Sequence, residues 1–220
     1  MHLNIKLKDR EIKKDFWFPT PVYSQQIPDY KELNKYLLKH IKIWKKQDPK
    51  GLAKTNKGMK GGGWHSKTDM HTKSEFKPLI KYLEEMQNVV TREEGFVRDM
   101  FIGNMWTNIN YPGCYNRAHI HPNSHFTGVY YIQVPKDANA TLSITDPRHG
   151  LNMFSPKQLP TPKIPRFLWR GFEYDVREGN LLMFPSFVEH DAGLNQSKQK
   201  GEKNWRISVS FNLVQKGMNI

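Results

Sequence analysis

The stretch WRISVSFNLV (205–214) alternates along its whole length. In an extended chain Arg206, Ser208, Ser210 and Asn212 fall on one side, and Ile207, Val209, Phe211 and Leu213 on the other. The second face is wholly apolar and must be covered. The first face opens two readings. Either it meets solvent, or it lines the interior of an open barrel, where Arg206 is a buried cation that needs an anion. A bound carboxylate would supply that anion, gripped bidentately by the guanidinium with the Ser208 hydroxyl beside it.

Working outward, similar β-rich runs separated by turn residues fill the chain from about Phe96 onward: MFIGNMWTNIN, FTGVYYIQVP, ATLSITD and EYDVREGNLLMFPS. Before them lie two helical patterns. In the first, Asp29 is placed to cap a segment whose Leu33, Leu37, Ile41 and Trp44 form one stripe. In the second, Ser74 is placed to cap a segment with Pro78 in its first turn and Phe76, Leu79, Ile80, Leu83, Met86 and Val90 at spacings of three and four. Earlier still, FWFPTPVY (16–23) carries two prolines and suits an edge strand or extended entry. Helices first and strands afterwards predict an α+β, mainly β chain with two helices laid on one face of a sandwich or barrel. One domain is expected, with 1–95 as helical support and 96–220 as β core.

Composition narrows the classes. Across 220 residues, 37% apolar content suffices for one sizeable core. No apolar run reaches the length of a membrane span and no leader pattern opens the chain, so a cytoplasmic protein without membrane contact is expected. The single cysteine, Cys114, excludes a disulfide framework and any cysteine-rich zinc cluster, leaving His, Asp and Glu as metal ligands. A net charge of +13 favours acidic or polymeric partners, nucleic acid among them. Yet the lysine-dense stretch 45–63 interleaves glycine instead of aromatic residues and reads first as a solvated loop.

The histidines are unevenly spread. His119 and His121 stand two apart in YNRAHIHPNSHF, so an extended backbone projects both to the same face, close enough to share one ion. His125 follows a Pro-Asn-Ser turn that leaves its direction open. A third ligand from elsewhere is expected at His190, where the apolar run GNLLMFPSFVEH reaches a polar end. In the order His-x-His, distal His, Arg-x-Ser, these residues point to one mononuclear metal site in the β half. His2, His40 and His149 have no such context and read as surface residues. His65 and His71, in GGGWHSKTDMH, read as packing against the barrel or as part of a lid.

Taken together, FWFPTPVY, GGWHS, HIHPNSHFTGVYYIQVP, DPR (146–148), GNLLMFPSFVEH and RISVSFN resemble a family of iron(II)- and 2-oxoglutarate-dependent oxygenases of bacteria and phages. NYPGCYNRAHIH followed by GVYYI is also similar to the prolyl hydroxylase arrangement. The resemblance covers nearly the whole chain; its motifs are specific as a set and weak singly. It implies a double-stranded β-helix, a jelly-roll or cupin-like barrel, that binds Fe(II) and the cosubstrate 2-oxoglutarate. With O2 such an enzyme hydroxylates or demethylates a primary substrate and releases succinate and carbon dioxide. It makes His119 and His190 iron ligands and Arg206, assisted by Ser208, the partner of the distal 2-oxoglutarate carboxylate. Tyr131 would donate a hydrogen bond to that carboxylate, and Tyr111 would line the pocket near the metal.

One position departs from the pattern. The usual facial triad is two histidines and a carboxylate, and where the carboxylate is expected this chain has His121. Either His121 completes a three-histidine site, or a distant carboxylate such as Asp146 swings in, or water fills the position; three histidines are favoured. A non-catalytic cupin-like metal protein and a basic nucleic-acid-binding module are the competing readings. The primary substrate is not legible, although 159–172, with Trp169 and Phe172, suits a substrate loop or a surface insertion.

Overall fold

The computed structural model describes residues 2–7, 10–15, 18–52, 62–96, 100–138, 140–148, 150 and 165–217. In chain order its elements are β1 (His2–Leu7), β2 (Arg10–Asp15), β3 (Tyr23–Gln26), α1 (Tyr30–Gln47), β4 (Trp64–His65) and α2 (Lys77–Glu93). Then follow β5 (Met100–Asn110), β6 (Asn116–His119), β7 (Phe126–Gln133), β8 (Thr141–Thr145), β9 (Gly171–Asp175), β10 (Asn180–Pro185), β11 (His190–Ala192) and β12 (Arg206–Gln215). Among the described residues, strands β1 and β2 pair only with each other. The rest form a six-stranded sheet in the order β3-β10-β7-β12-β5-β4 and a four-stranded sheet in the order β6-β11-β8-β9, with antiparallel pairing throughout both.

Alternation in β12 organises the molecule. Ile207, Val209, Phe211 and Leu213 are at most 1% exposed and join Leu37, Ile41, Phe76, Leu79 and Leu83 of the helical region in the larger core. Both helices thus cover the outer face of the large sheet, as expected from their stripes. One polar tie crosses this layer: Tyr130 Oη donates to Asn34 Oδ1 at 2.6 Å, and Asn34 Nδ2 donates to the Ile132 carbonyl at 2.8 Å. A smaller core of Val129, Leu142, Ile144, Leu182, Phe184 and Val188 lies between the two sheets. Gly128 is required where the strands flanking β7 crowd it, because a Cβ there would sit 2.3 Å from Phe211 Cζ and 2.6 Å from the Leu182 carbonyl oxygen.

Several local expectations are corrected. Asp29 occupies the N-cap position of α1 but in a left-handed conformation (φ 51°), and it makes no side-chain cap bond. Ser74 does not cap α2. A 3₁₀ turn over Ser74–Phe76 precedes the helix, which begins at Lys77 because Pro78 fits a first turn where its missing N–H is not needed. The expected edge strand at 16–23 begins only at Tyr23, past the two prolines that cannot donate to a ladder; Phe16 and Trp17 lie outside the described residues. So do 53–61 of the lysine-rich stretch, His149, and 159–164 of the expected substrate loop. Trp169 and Phe172 from that loop stack at 5.8 Å beside the edge strand β9. Among the described residues no helix is long and apolar enough to cross a membrane.

Candidate active site

Between the sheets lies a cavity of about 460 Å³. The large sheet contributes the polar face of β12, namely Arg206, Ser208, Ser210 and Asn212, so this face lines the interior instead of meeting bulk water. Neighbouring β5 adds Asn104, Trp106, Asn108 and Asn110, and β7 adds Thr127, Val129 and Tyr131. From the opposite side come His119, His121 and His190. No Asp, Glu or Lys lines this cavity among the described residues.

Strand pairing brings the histidines together. β6 and β11 are antiparallel with His119 directly opposite His190, and their ring centroids are 4.4 Å apart. His121 lies past the end of β6, where its backbone N–H donates to the Ser186 carbonyl at 3.0 Å. Its ring is 5.0 Å from that of His119 and 5.1 Å from that of His190. One ring nitrogen from each of the three lies within 4.8 Å of the others. His119 Nδ1 faces the Arg117 carbonyl at 2.7 Å and His190 Nδ1 faces the Val188 carbonyl at 2.9 Å. In each ring, donation from Nδ1–H to the carbonyl leaves the Nε2 lone pair for an ion.

Electrostatics keep these lone pairs available. Burial lowers the pKa of His121 to about 3, with the neighbouring His190 and His119 rings adding to the effect and Asn212 opposing it. Burial also lowers His190 to about 4 against the pull of the Val188 carbonyl. Both rings are therefore neutral at pH 7. This donor set suits a divalent transition metal, for which imidazole is a good ligand.

Arg206 is 2% exposed. Its Nη1 donates to the Gly193 carbonyl at 2.7 Å, whereas Nη2 is buried with no hydrogen-bond partner. Burial pulls its pKa down while Tyr131 and the Cys114 thiol oppose that shift, but a guanidinium stays protonated under any such perturbation. Ser208 sits directly across from Tyr131 in the β12–β7 ladder. The Tyr131 phenol is pushed up by burial, against the nearby Arg206, so it is a neutral donor. A buried guanidinium with an unpartnered Nη2, near a hydroxyl and a phenol, has the donor set that a carboxylate would satisfy.

The remaining expectations divide. Tyr111 is not among the residues lining the cavity. By alternation it follows Ile109 to the helical side, where its ring meets Trp205 edge-on at 5.4 Å. Asp146 is bound to Arg148 by contacts of 2.6 to 3.2 Å and lines a separate cleft on the small sheet, so it does not enter the metal cluster. His125 is fixed in a turn by backbone bonds with Leu213 and Ser186 and stays out of the cavity. His65 does line it, whereas His71 sits in a separate 3₁₀ turn. Sequence reading missed the β5 contribution, although Asn104, Trp106, Asn108 and Asn110 alternate as plainly as the residues of β12.

Two facing antiparallel sheets that enclose a histidine cluster and a buried arginine form the double-stranded β-helix architecture expected from the sequence. Residues 104–212, just under half of the chain, match the family model described as "Putative 2OG-Fe(II) oxygenase", the model of an enzyme class that uses Fe(II) and 2-oxoglutarate. Similar folds occur in a Pseudomonas putida prolyl-4-hydroxylase (TM-score 0.59, 14% identity, 90% of this chain and 94% of that one). They occur also in the non-heme alpha-ketoglutarate-dependent carbocyclase SnoK from nogalamycin biosynthesis (TM-score 0.60, 9% identity, 89% and 80%). A third is HygX from Streptomyces hygroscopicus, crystallised with nickel and 2-oxoglutarate (TM-score 0.52, 10% identity, 90% and 84%). No curated protein matches the chain.

Proposed function

We propose that His119, His121 and His190 hold one Fe(II) through their Nε2 atoms. Arg206, with Ser208 and Tyr131, receives the distal carboxylate of 2-oxoglutarate. On this reading the enzyme hydroxylates or demethylates a primary substrate, with succinate and carbon dioxide as coproducts. The supporting observation is the conjunction of three converged imidazoles and a buried guanidinium with one free Nη2 in a single cavity. A metal-binding barrel without turnover has no use for that guanidinium, whose burial uncompensated is costly.

Bound there, iron and 2-oxoglutarate supply oxygen activation coupled to oxidative decarboxylation. The chain supplies placement. Arg206 and Ser208 orient the cosubstrate from one end of the polar β12 face, while the carbonyls of Arg117 and Val188 fix two of the ligating rings. A third imidazole in place of a carboxylate leaves the metal one unit more positive, which strengthens the attraction for a dianionic cosubstrate. Leu142, Val129 and Phe184 wall the cavity and limit water.

Succinate release from 2-oxoglutarate with Fe(II) and ascorbate tests the reading. The wild-type chain should release succinate, and His190→Ala should lose both bound metal and turnover. Equal succinate release by His190→Ala would refute it.

A further inference from the structure

Two of the three clustered imidazoles face a backbone carbonyl two residues earlier in the chain, Arg117 for His119 and Val188 for His190. His121 follows a different rule. Its strand has ended, Pro122 comes next, and its ring lies instead in a column of near-parallel rings. The Trp106 indole lies near-parallel to it at 5.8 Å and 17° between planes, and the His190 ring at 5.1 Å and 15°. Behind the indole, His65 stacks at 5.6 Å and 14°.

The column has a firm base. His65 Nδ1 meets the Ser66 carbonyl at 2.6 Å, and Ser66 is fully buried and tied to Thr107 through both its N–H and its hydroxyl. Trp106 stands on the long strand β5, opposite Ser210 of β12. The indole is thus held at both the strand and the ring behind it. An imidazole has a broad, two-fold preference about its second side-chain torsion; where His119 and His190 have a backbone carbonyl, the His121 ring has the Asn212 side chain, and the stacked indole adds a restraint on where its lone pair points.

We infer that Trp106 is the positioning residue for His121: by stacking on the imidazole it aims the third ligand at the metal, a task done for His119 and His190 by backbone carbonyls. This rests on the three-histidine reading above. On this reading Trp106 is not itself a metal ligand. Its contribution is the difference between an ordered and a rotating ligand, and an aromatic contact of this kind is worth about a three- to tenfold change in an equilibrium constant.

Titration of the purified full chain with Co(II), followed by affinity and by the visible ligand-field bands, tests it. Trp106→Leu should bind Co(II) about three- to tenfold more weakly and with altered bands, and Trp106→Phe, which keeps an aromatic face, should restore both. In a His121→Ala background Trp106→Leu should cost nothing further. If His121→Ala alone leaves affinity and bands unchanged, the three-histidine reading falls and this inference falls with it. If His121→Ala weakens binding but Trp106→Leu does not, or does so equally in both backgrounds, the positioning role alone is overturned.

Discussion

Replacing Arg206 by methionine removes one charge while keeping a long, flexible side chain in the same space. Two consequences of opposite sign follow. In the ligand-free protein the guanidinium is 2% exposed and satisfies only one carbonyl, Gly193, with Nη2 unpartnered. Exchanging such a buried ion for an apolar chain is often neutral or stabilising, and the orphaned Gly193 carbonyl costs about 1 kcal/mol against it. The melting temperature without ligand should therefore change little. Cosubstrate binding should collapse, because a dicarboxylate entering the variant leaves its distal carboxylate buried and unpaired, at a cost of about 3–5 kcal/mol, or at least a hundredfold in Kd. The assay is thermal unfolding with Mn(II), with and without 2-oxoglutarate at a hundred times the wild-type Kd. The wild type should gain about 2.7 kcal/mol and the variant no more than about 0.4 kcal/mol. Should Arg206→Met keep the full cosubstrate-dependent gain, or unfold without ligand while binding 2-oxoglutarate normally, the guanidinium is a structural residue and the reasoning is wrong.

Other perturbations probe the same account. His121→Asp should retain metal binding that His121→Ala weakens, since a carboxylate at that position restores the usual facial triad; equal affinity in both variants and the wild type, read by Mn(II) titration, would place residue 121 away from the ion. The metal-free protein should lose stability as pH falls below about 6.5, because the unfolded chain then takes up protons that His121 and His190, lowered to about 3 and 4, refuse when folded. Melting temperatures between pH 7.5 and 4.5 should fall accordingly, and less steeply in His190→Gln; identical slopes would contradict the burial of these rings. Gly128→Ala should destabilise by about 1–3 kcal/mol through overpacking against Phe211 and the Leu182 carbonyl, measured by urea unfolding. Tyr130→Phe should cost about 1 kcal/mol by the same assay, for the bond to Asn34.

The parts legible in the sequence are those governed by a strict period. The alternation of β12 separated the helix-covered face from the cavity face, and the stripe Leu37, Ile41, Trp44 located the buried side of α1. The convergence of His119, His121 and His190 was anticipated from a pair two residues apart and one distal ring. What could not be read depends on contacts between distant segments. β6 and β11, of four and three residues, are too short to show a period, yet their pairing sets His119 against His190. The β1–β2 pair went unread although HLNIKL alternates Leu3, Ile5 and Leu7 with polar residues, because REIKKD opposite it has Ile12 as its one apolar residue. Tyr111 was assigned by its place in a motif, whereas strand parity takes it to the opposite side of the sheet. The choice between an interior and a solvated polar face for β12 needed the facing sheet, which the strand itself cannot reveal.

The most direct test is a crystal structure of the chain with Mn(II) and 2-oxoglutarate, with the metal located by anomalous scattering. One peak is predicted, bonded to Nε2 of His119, His121 and His190, with the distal carboxylate of 2-oxoglutarate on Arg206 Nη2. A metal held by only two of these rings, with His121 turned away, or a carboxylate lodged far from Arg206, would contradict it.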